Sequence, residues 1–327
     1  MLFWSLVLIA VAGAACAAHT YFTRPSLIID TDVGDDIDDA VCLWVALTLH
    51  RWGAVRIIAI ITSGDGNHEK RAALVKRLML SVLGESSGAI RIIRGVKNTG
   101  QGTAANYMDC GVYPGDVHTV EESRDWLVRQ IGKNTIMLCI GPLDNVRKLD
   151  LPNVQYVIMT GCFKTNFDGR EGQIAEYNAR KDILNLRWLL GKERVTLVPL
   201  DSAGTCRIFN WDLRGFPSSL CDMYMTWYTS VLDRDGSSSP ILRHTVAPGK
   251  TPRAPGTRSS ILFDVGALAV CLFPGWFDIW EEGVTVDDDG KTHLCPSETP
   301  VRIAMRWKDK DQFQCWMARV RQYYVAA

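Results

Sequence analysis

The chain has 327 residues, 47% of them hydrophobic, with 36 basic and 36 acidic side chains. That supplies ample material for a large core, and the zero net charge excludes a globally basic surface that would recruit nucleic acid. Ten cysteines occur without a CxxC pair, which argues against a zinc ribbon.

Met1 to Ala18 is almost wholly apolar and ends in the small residues Gly13-Ala14-Ala15-Cys16-Ala17-Ala18. This predicts a cleaved signal peptide over 1–18 and a secreted or otherwise extracytosolic protein. Only if that stretch were retained as an anchor would a membrane be a partner. Residues 19–327 are expected to form a single domain. In an oxidising compartment Cys110, Cys206, Cys221 and Cys295, which lie in turn-rich stretches, are the disulfide candidates. Cys42, Cys139, Cys162 and Cys271 lie in apolar runs and read as core thiols.

The next element carries the main signal. A strand over 26–30 leads into Asp30-Thr31-Asp32-Val33-Gly34-Asp35-Asp36-Ile37-Asp38-Asp39, six aspartates in ten residues, and a buried helix follows from Ala40. Ligands bind at such strand-to-helix turns in open α/β sheets. Helix capping and dipole effects account for one or two carboxylates, with Asp35 and Asp36 the natural choices. The others repel one another unless a cation neutralises them. An all-oxygen set suits Ca²⁺ or Mg²⁺. An EF-hand fails, because Gly34 and Val41 stand at the fifth and twelfth positions counted from Asp30.

Further along, strands are predicted over 55–62, 90–94, 135–140, 154–159 and 195–200. Helices are predicted over 69–83, 120–131, 143–149 and 181–190. Repeated βα units of this kind imply an open, mostly parallel sheet with helices on both faces. Residues 233–256 are rich in Gly, Ser and Pro and read as a loop or lid, and 283–299 as a hairpin around Asp287-Asp288-Asp289-Gly290. Asp264 stands inside the apolar run 261–273, where an unpaired carboxylate is costly, so it reads as a ligand.

Several of these segments resemble one family. The aspartate run resembles the N-terminal signature of the inosine/uridine-type nucleoside hydrolases, with two extra residues between the glycine and the final Asp pair. Gly141-Pro142-Leu143-Asp144-Asn145, Ala175-Glu176-Tyr177-Asn178 and Phe263-Asp264-Val265-Gly266-Ala267-Leu268-Ala269-Val270 resemble its later motifs, in the same order.

The resemblance implies a nucleoside-hydrolase-like catalytic domain and Ca²⁺-dependent hydrolysis of the N-glycosidic bond of ribonucleosides, giving ribose and free base. It implies Ca²⁺ held by Asp32, Asp39, Asp264 and the carbonyl of Ile140, with Asp32 activating the water. Asp38, Glu176 and Asn178 would hold ribose hydroxyls. Asp65, with Asn67 as the alternative, would stand beside the water, and Asn166 near the ribose. The expected partner is a small-molecule nucleoside, and homo-oligomerisation stays open.

One departure matters. Phe263 stands where many members carry a histidine that protonates the leaving base. Phenylalanine donates no proton but can stack on a base. Tyr224, Trp227, Tyr228, Arg243 and His244 are alternative sources of an acid or of packing. Two other readings remain open. Asp30-Thr31-Asp32-Val33 also fits an aspartate-nucleophile phosphatase using Mg²⁺. Phe263 also fits a catalytically silent, secreted nucleoside- or sugar-binding protein.

Overall fold

The computed structural model describes residues 24–63, 67–96, 117–167, 169–208, 215–235 and 259–326. The expected leader over 1–18 and Cys110 lie outside them.

The strands are β1 (Ser26–Thr31), β2 (Arg56–Thr62), β3 (Arg91–Arg94), β4 (His118–Thr119), β5 (Thr135–Cys139), β6 (Gln155–Met159), β7 (Val195–Val198), β8 (Phe277–Val286), β9 (Thr292–Leu294) and β10 (Pro300–Trp307). They form one sheet in the order β4-β3-β2-β1-β5-β6-β7-β10-β8-β9. Every pair from β4 to β10 is parallel, and β8 and β9 join antiparallel. The central strands are continuous apolar runs such as Leu27-Ile28-Ile29, which suits a parallel sheet covered on both faces.

The helices are α1 (Ile37–Arg51), α2 (His68–Leu83), α3 (Val120–Gln130), α4 (Asp144–Leu149), α5 (Tyr177–Lys181), α6 (Ile183–Leu190), α7 (Leu200–Ala203), α8 (Ser218–Asp235), α9 (Phe263–Leu272) and α10 (Asp311–Ala326). Helices α1, α2, α8, α9 and α10 contribute to the core on one face, and α3, α4 and α6 to the core on the other. Asp36 caps α1 by accepting from the Ile37 N–H at 2.6 Å. All of α1 except its last two residues is buried, so its polar N-terminus is driven against the sheet.

Chain order creates the crevice. From β1 the chain runs outward through β2 and β3 to β4, then returns to the opposite side of β1 with β5. The turns after β1 and β5 therefore diverge at a topological switch point.

The predicted elements between 26 and 200 are all present with small shifts of their ends. The helix predicted over 181–190 is two, because Asp182 leaves the helical region and caps α6 through Asn185 N at 3.2 Å. The predicted hairpin is real: β8 and β9 join around Asp287, whose carboxylate accepts the Asp289 and Lys291 N–H groups. The loop predicted over 233–256 begins instead as the last turn of α8, and its remainder from 236 lies outside the described residues.

The disulfide expectation is not met among the described residues. Cys206, Cys221 and Cys295 are free thiols, and Cys206 is buried against the close-packed Gly266. Cys42, Cys139, Cys162 and Cys271 are buried thiols, as their apolar surroundings predicted.

Candidate active site

The switch point brings the acid run together with the N-terminus of α9. Asp32, Asp38, Asp39 and Asp264 are each no more than 7% exposed. Carboxylate oxygens of Asp38, Asp39 and Asp264 lie within 4.8 Å of one another. The Asp264 N–H donates to Asp38 Oδ2 at 3.4 Å, and Thr31 Oγ1 donates to Asp39 Oδ1 at 2.5 Å.

Electrostatics joins Asp32 to this trio. Burial, followed by repulsion from Asp32 and Asp38, holds the Asp39 carboxyl well above the usual carboxylate range. Burial and then Asp38, Asp39 and Asp32 do the same to Asp264. Asp38 is raised by burial and then by Asp36, with Asp32 adding to it. A buried set of like charges is costly without a counter-ion. The donors are all hard oxygens, so the set fits a hard divalent cation such as Ca²⁺.

Ile140 follows β5 directly, and its N–H donates to the Asp30 carbonyl at 2.8 Å. A Cβ on the next residue, Gly141, would stand 2.8 Å from Asp32 N and 2.9 Å from Asp32 Oδ1. The turn after β5 thus presses against Asp32, where the resemblance asks for a carbonyl donor.

Asp30 has a different place. It is fully buried, and its Oδ1 accepts from Asn145 Nδ2 at 2.8 Å, with Ser63 Oγ at 3.5 Å. Burial, the largest influence, raises its pKa. Asn145 Oδ1 in turn accepts the Val96 N–H at 2.8 Å, tying the ends of β1, β3 and β5 together. The phosphatase reading needs Asp30 as an accessible nucleophile; its burial in this network overturns that reading.

Glu176 and Asn178 sit beyond the end of β6. Glu176 caps α5: its carboxylate accepts from Asn178 N at 2.9 Å, Ala179 N at 3.0 Å, Thr160 Oγ1 at 2.9 Å and Gly161 N at 3.3 Å. Asn178 Nδ2 donates to the Met159 carbonyl at 3.0 Å. Both side chains are buried and held in fixed orientations.

Asn166 lies in a small hairpin closed by the Thr165–Glu171 bridge, where its Oδ1 accepts from Arg170 N at 3.2 Å. Asp201 supports that loop by accepting the N–H groups of Phe163, Lys164 and Thr165 at 2.7 to 3.0 Å. Asn67 is the N-cap of α2, and Asp65 lies outside the described residues.

Phe263 opens α9 beside Asp264 and is partly buried against the core. Tyr224, Trp227 and Tyr228 are buried on α8. Burial pushes both tyrosine hydroxyls up, which weakens them as proton donors. These three are packing residues; Arg243 and His244 lie outside the described residues.

Two contributors were not singled out from sequence. Arg71 of α2 is fully buried and donates to the Asp32 carbonyl, to the Val33 carbonyl at 3.0 Å and to Asp35 Oδ2 at 3.1 Å. Asn145 was noticed only as part of a motif. Arg71 gave no signal, since a basic residue on a helix beginning His68-Glu69-Lys70-Arg71 reads as solvated.

This fold, a mostly parallel sheet with helices on both faces, is that of the nucleoside hydrolases. A plant nucleoside hydrolase structure aligns over 93% of this chain and 100% of its own, with a TM-score of 0.69 at 16% identity. The inosine-uridine preferring nucleoside hydrolase of Bacillus anthracis aligns over 91% and 99%, with a TM-score of 0.64 at 15% identity. The type III effector XopQ, complexed with adenosine diphosphate ribose, aligns over 95% and 98%, with a TM-score of 0.68 at 14% identity. No curated protein sequence matches the chain. The family profile of the inosine-uridine preferring nucleoside hydrolases matches residues 27–321, and the chain belongs to that family. It is therefore an enzyme of the N-glycosyl hydrolase class.

Proposed function

We propose that the chain hydrolyses ribonucleosides to ribose and free base in a Ca²⁺-dependent reaction. The observation that carries this reading is the convergence of Asp38, Asp39 and Asp264 from opposite ends of the chain, with Asp32 in the same electrostatic field. Asp32, Asp39, Asp264 and the Ile140 carbonyl would hold the ion. When bound, Ca²⁺ offsets the carboxylate repulsion, acidifies a coordinated water and orients sugar hydroxyls.

The protein's own groups do the rest. Asp32 accepts the proton of the attacking water at its carboxylate. Asp38, Glu176 and Asn178 take the ribose hydroxyls, and the four donors on Glu176 keep that carboxylate from turning away. Such preorganised contacts tighten as the ribose flattens toward an oxocarbenium-like ring. Phe263 faces the base and contributes stacking rather than a proton.

The test is release of reducing sugar from a nucleoside panel, with Ca²⁺ and after chelation. Ribose that appears with Ca²⁺ and stops on chelation is the expected result. No ribose from any nucleoside overturns the proposal and favours a binding role, which Phe263 and the likeness to XopQ would suit. We also propose an extracytosolic location, supported by the apolar segment 1–18; N-terminal sequencing that finds Met1 on cytosolic protein overturns it.

A further inference from the structure

We propose that Arg71 is a positioning residue that holds the aspartate loop in the conformation a cation requires. The inference rests on the reading of Asp32, Asp39 and Asp264 as a cation site. Among the described residues Arg71 is the only buried lysine or arginine. Its Nη1 reaches the main-chain carbonyls of Asp32 and Val33, and its Nη2 pairs with Asp35. Those three residues span the link between the end of β1 and the cap of α1. Asp32 stands on one side of the link and Asp38 and Asp39 on the other. Gly34, at φ 124°, turns the chain between them.

The geometry suits a guanidinium and nothing smaller. One planar fork serves three acceptors on the loop, whereas an ammonium has a single nitrogen. Burying this charge is costly and gives little net stability, so a packed apolar residue would serve a purely structural purpose at least as well. What an apolar residue would not do is fix two adjacent carbonyls and so set where the Asp32 side chain points.

The test compares wild type with Arg71→Lys and Arg71→Met by calorimetric titration of Ca²⁺ and by amide exchange over residues 31–39. Arg71→Lys keeps the charge and loses the fork. It is expected to fold and to bind Ca²⁺ roughly 10- to 100-fold more weakly, the usual range for residues that orient ligands. Exchange over 31–39 should quicken without Ca²⁺ and return to wild type at saturating Ca²⁺. Activity should recover at high Ca²⁺, with kcat restored.

Variants with wild-type affinity and wild-type exchange overturn the proposal. A wild type that binds no Ca²⁺ overturns the cation reading itself, and the exchange comparison then still decides whether Arg71 fixes the loop. Should Arg71→Lys fail to fold, Asp35→Ala removes the acceptor of Nη2 and carries the same comparison, with a smaller loss expected.

Discussion

The backbone N–H of Asp264 donates to the carboxylate of Asp38 at 3.4 Å, across 226 residues of chain. The N-terminus of α9 thereby meets the N-terminus of α1, and two helix dipoles point their positive ends at one group of carboxylates. This arrangement favours charge at the site while burial opposes it. A cation resolves the conflict.

Asp32→Asn should leave a folded protein and lower kcat by about 10²- to 10⁴-fold, the usual worth of a general base. Asp264→Asn should instead weaken Ca²⁺ binding, and should raise the melting temperature of chelated protein by removing one repelling charge. Circular dichroism, Ca²⁺ titration and steady-state kinetics separate the two. An Asp32→Asn enzyme with wild-type kcat excludes Asp32 as the base.

Stability without cation should depend on pH in a definite direction. Burial first, then neighbouring carboxylates, raises Asp38, Asp39 and Asp264 above their unfolded values, and Asp36 is raised to about 6 by burial. Groups raised in the folded state contribute stability that is fully present below the unfolded pKa and lost as pH rises through the folded one. The melting temperature in chelator should therefore fall from about pH 5 to about pH 7.5. Added Ca²⁺ should stabilise more at the upper end, because its ligands must be deprotonated. Thermal scans showing chelated protein gaining stability across that window would contradict the arrangement.

Gly141→Ala should impair the site without touching an acid. The new methyl would meet Asp32 N at 2.8 Å and Asp32 Oδ1 at 2.9 Å, and backbone there cannot swing aside. Asp32 or the turn after β5 must shift. Ca²⁺ affinity and kcat should both drop, whereas Gly132→Ala, before the other end of β5, whose Cβ meets only Thr135 Oγ1 at 4.0 Å, should be neutral at the site. Equal behaviour of the two variants would show that the Gly141 contact is relieved without cost.

Phe263 predicts a dependence on leaving group. Stacking supplies about 1 kcal/mol, well short of a positioned general acid. Activated p-nitrophenyl riboside should be cleaved much faster than inosine or uridine, and Phe263→His should raise turnover of the poor leaving groups. Natural nucleosides cleaved as fast as the nitrophenyl substrate, with Phe263→Ala unchanged, would place the acid elsewhere.

Much of the site was legible because its acids violate local expectations. Asp38 and Asp39 open a helix whose next residues are all apolar, and Asp264 interrupts an apolar run. The period and the turn signals also revealed β1, β2, β3, β5, β6 and β7, but not the two-residue β4 at His118–Thr119. What was hidden depends on tertiary contact. Arg71 looks like any basic helix residue until α2 packs against the loop. Asp201, just past the strand predicted over 195–200, gathers three N–H groups from another loop. The metal set expected Asp32, Asp39 and Asp264, whereas the tightest trio exchanges Asp32 for Asp38. Asp32 and Asp38 stand six residues apart in one acidic run, and spacing alone does not resolve which of them ligates. Tyr224, Trp227 and Tyr228 offer either an acid or packing in the sequence, and only their burial on α8 shows them in the core.

The place of β10 has a consequence for how the molecule is assembled. The last strand lies between β7 and β8, so the β8–β9 hairpin, although made earlier, has no neighbour in the sheet until β10 arrives. While the chain emerges from the ribosome, β7 remains an open edge and the hairpin hangs free of it. Thr292, whose hydroxyl bonds to both the N–H and the carbonyl of Cys162, ties that hairpin to the loop after β6. The β7 edge is thus covered only after every acid of the site has been synthesised. A nascent chain arrested just before Pro300 should be cut by protease within the hairpin, and one released beyond Trp307 should resist.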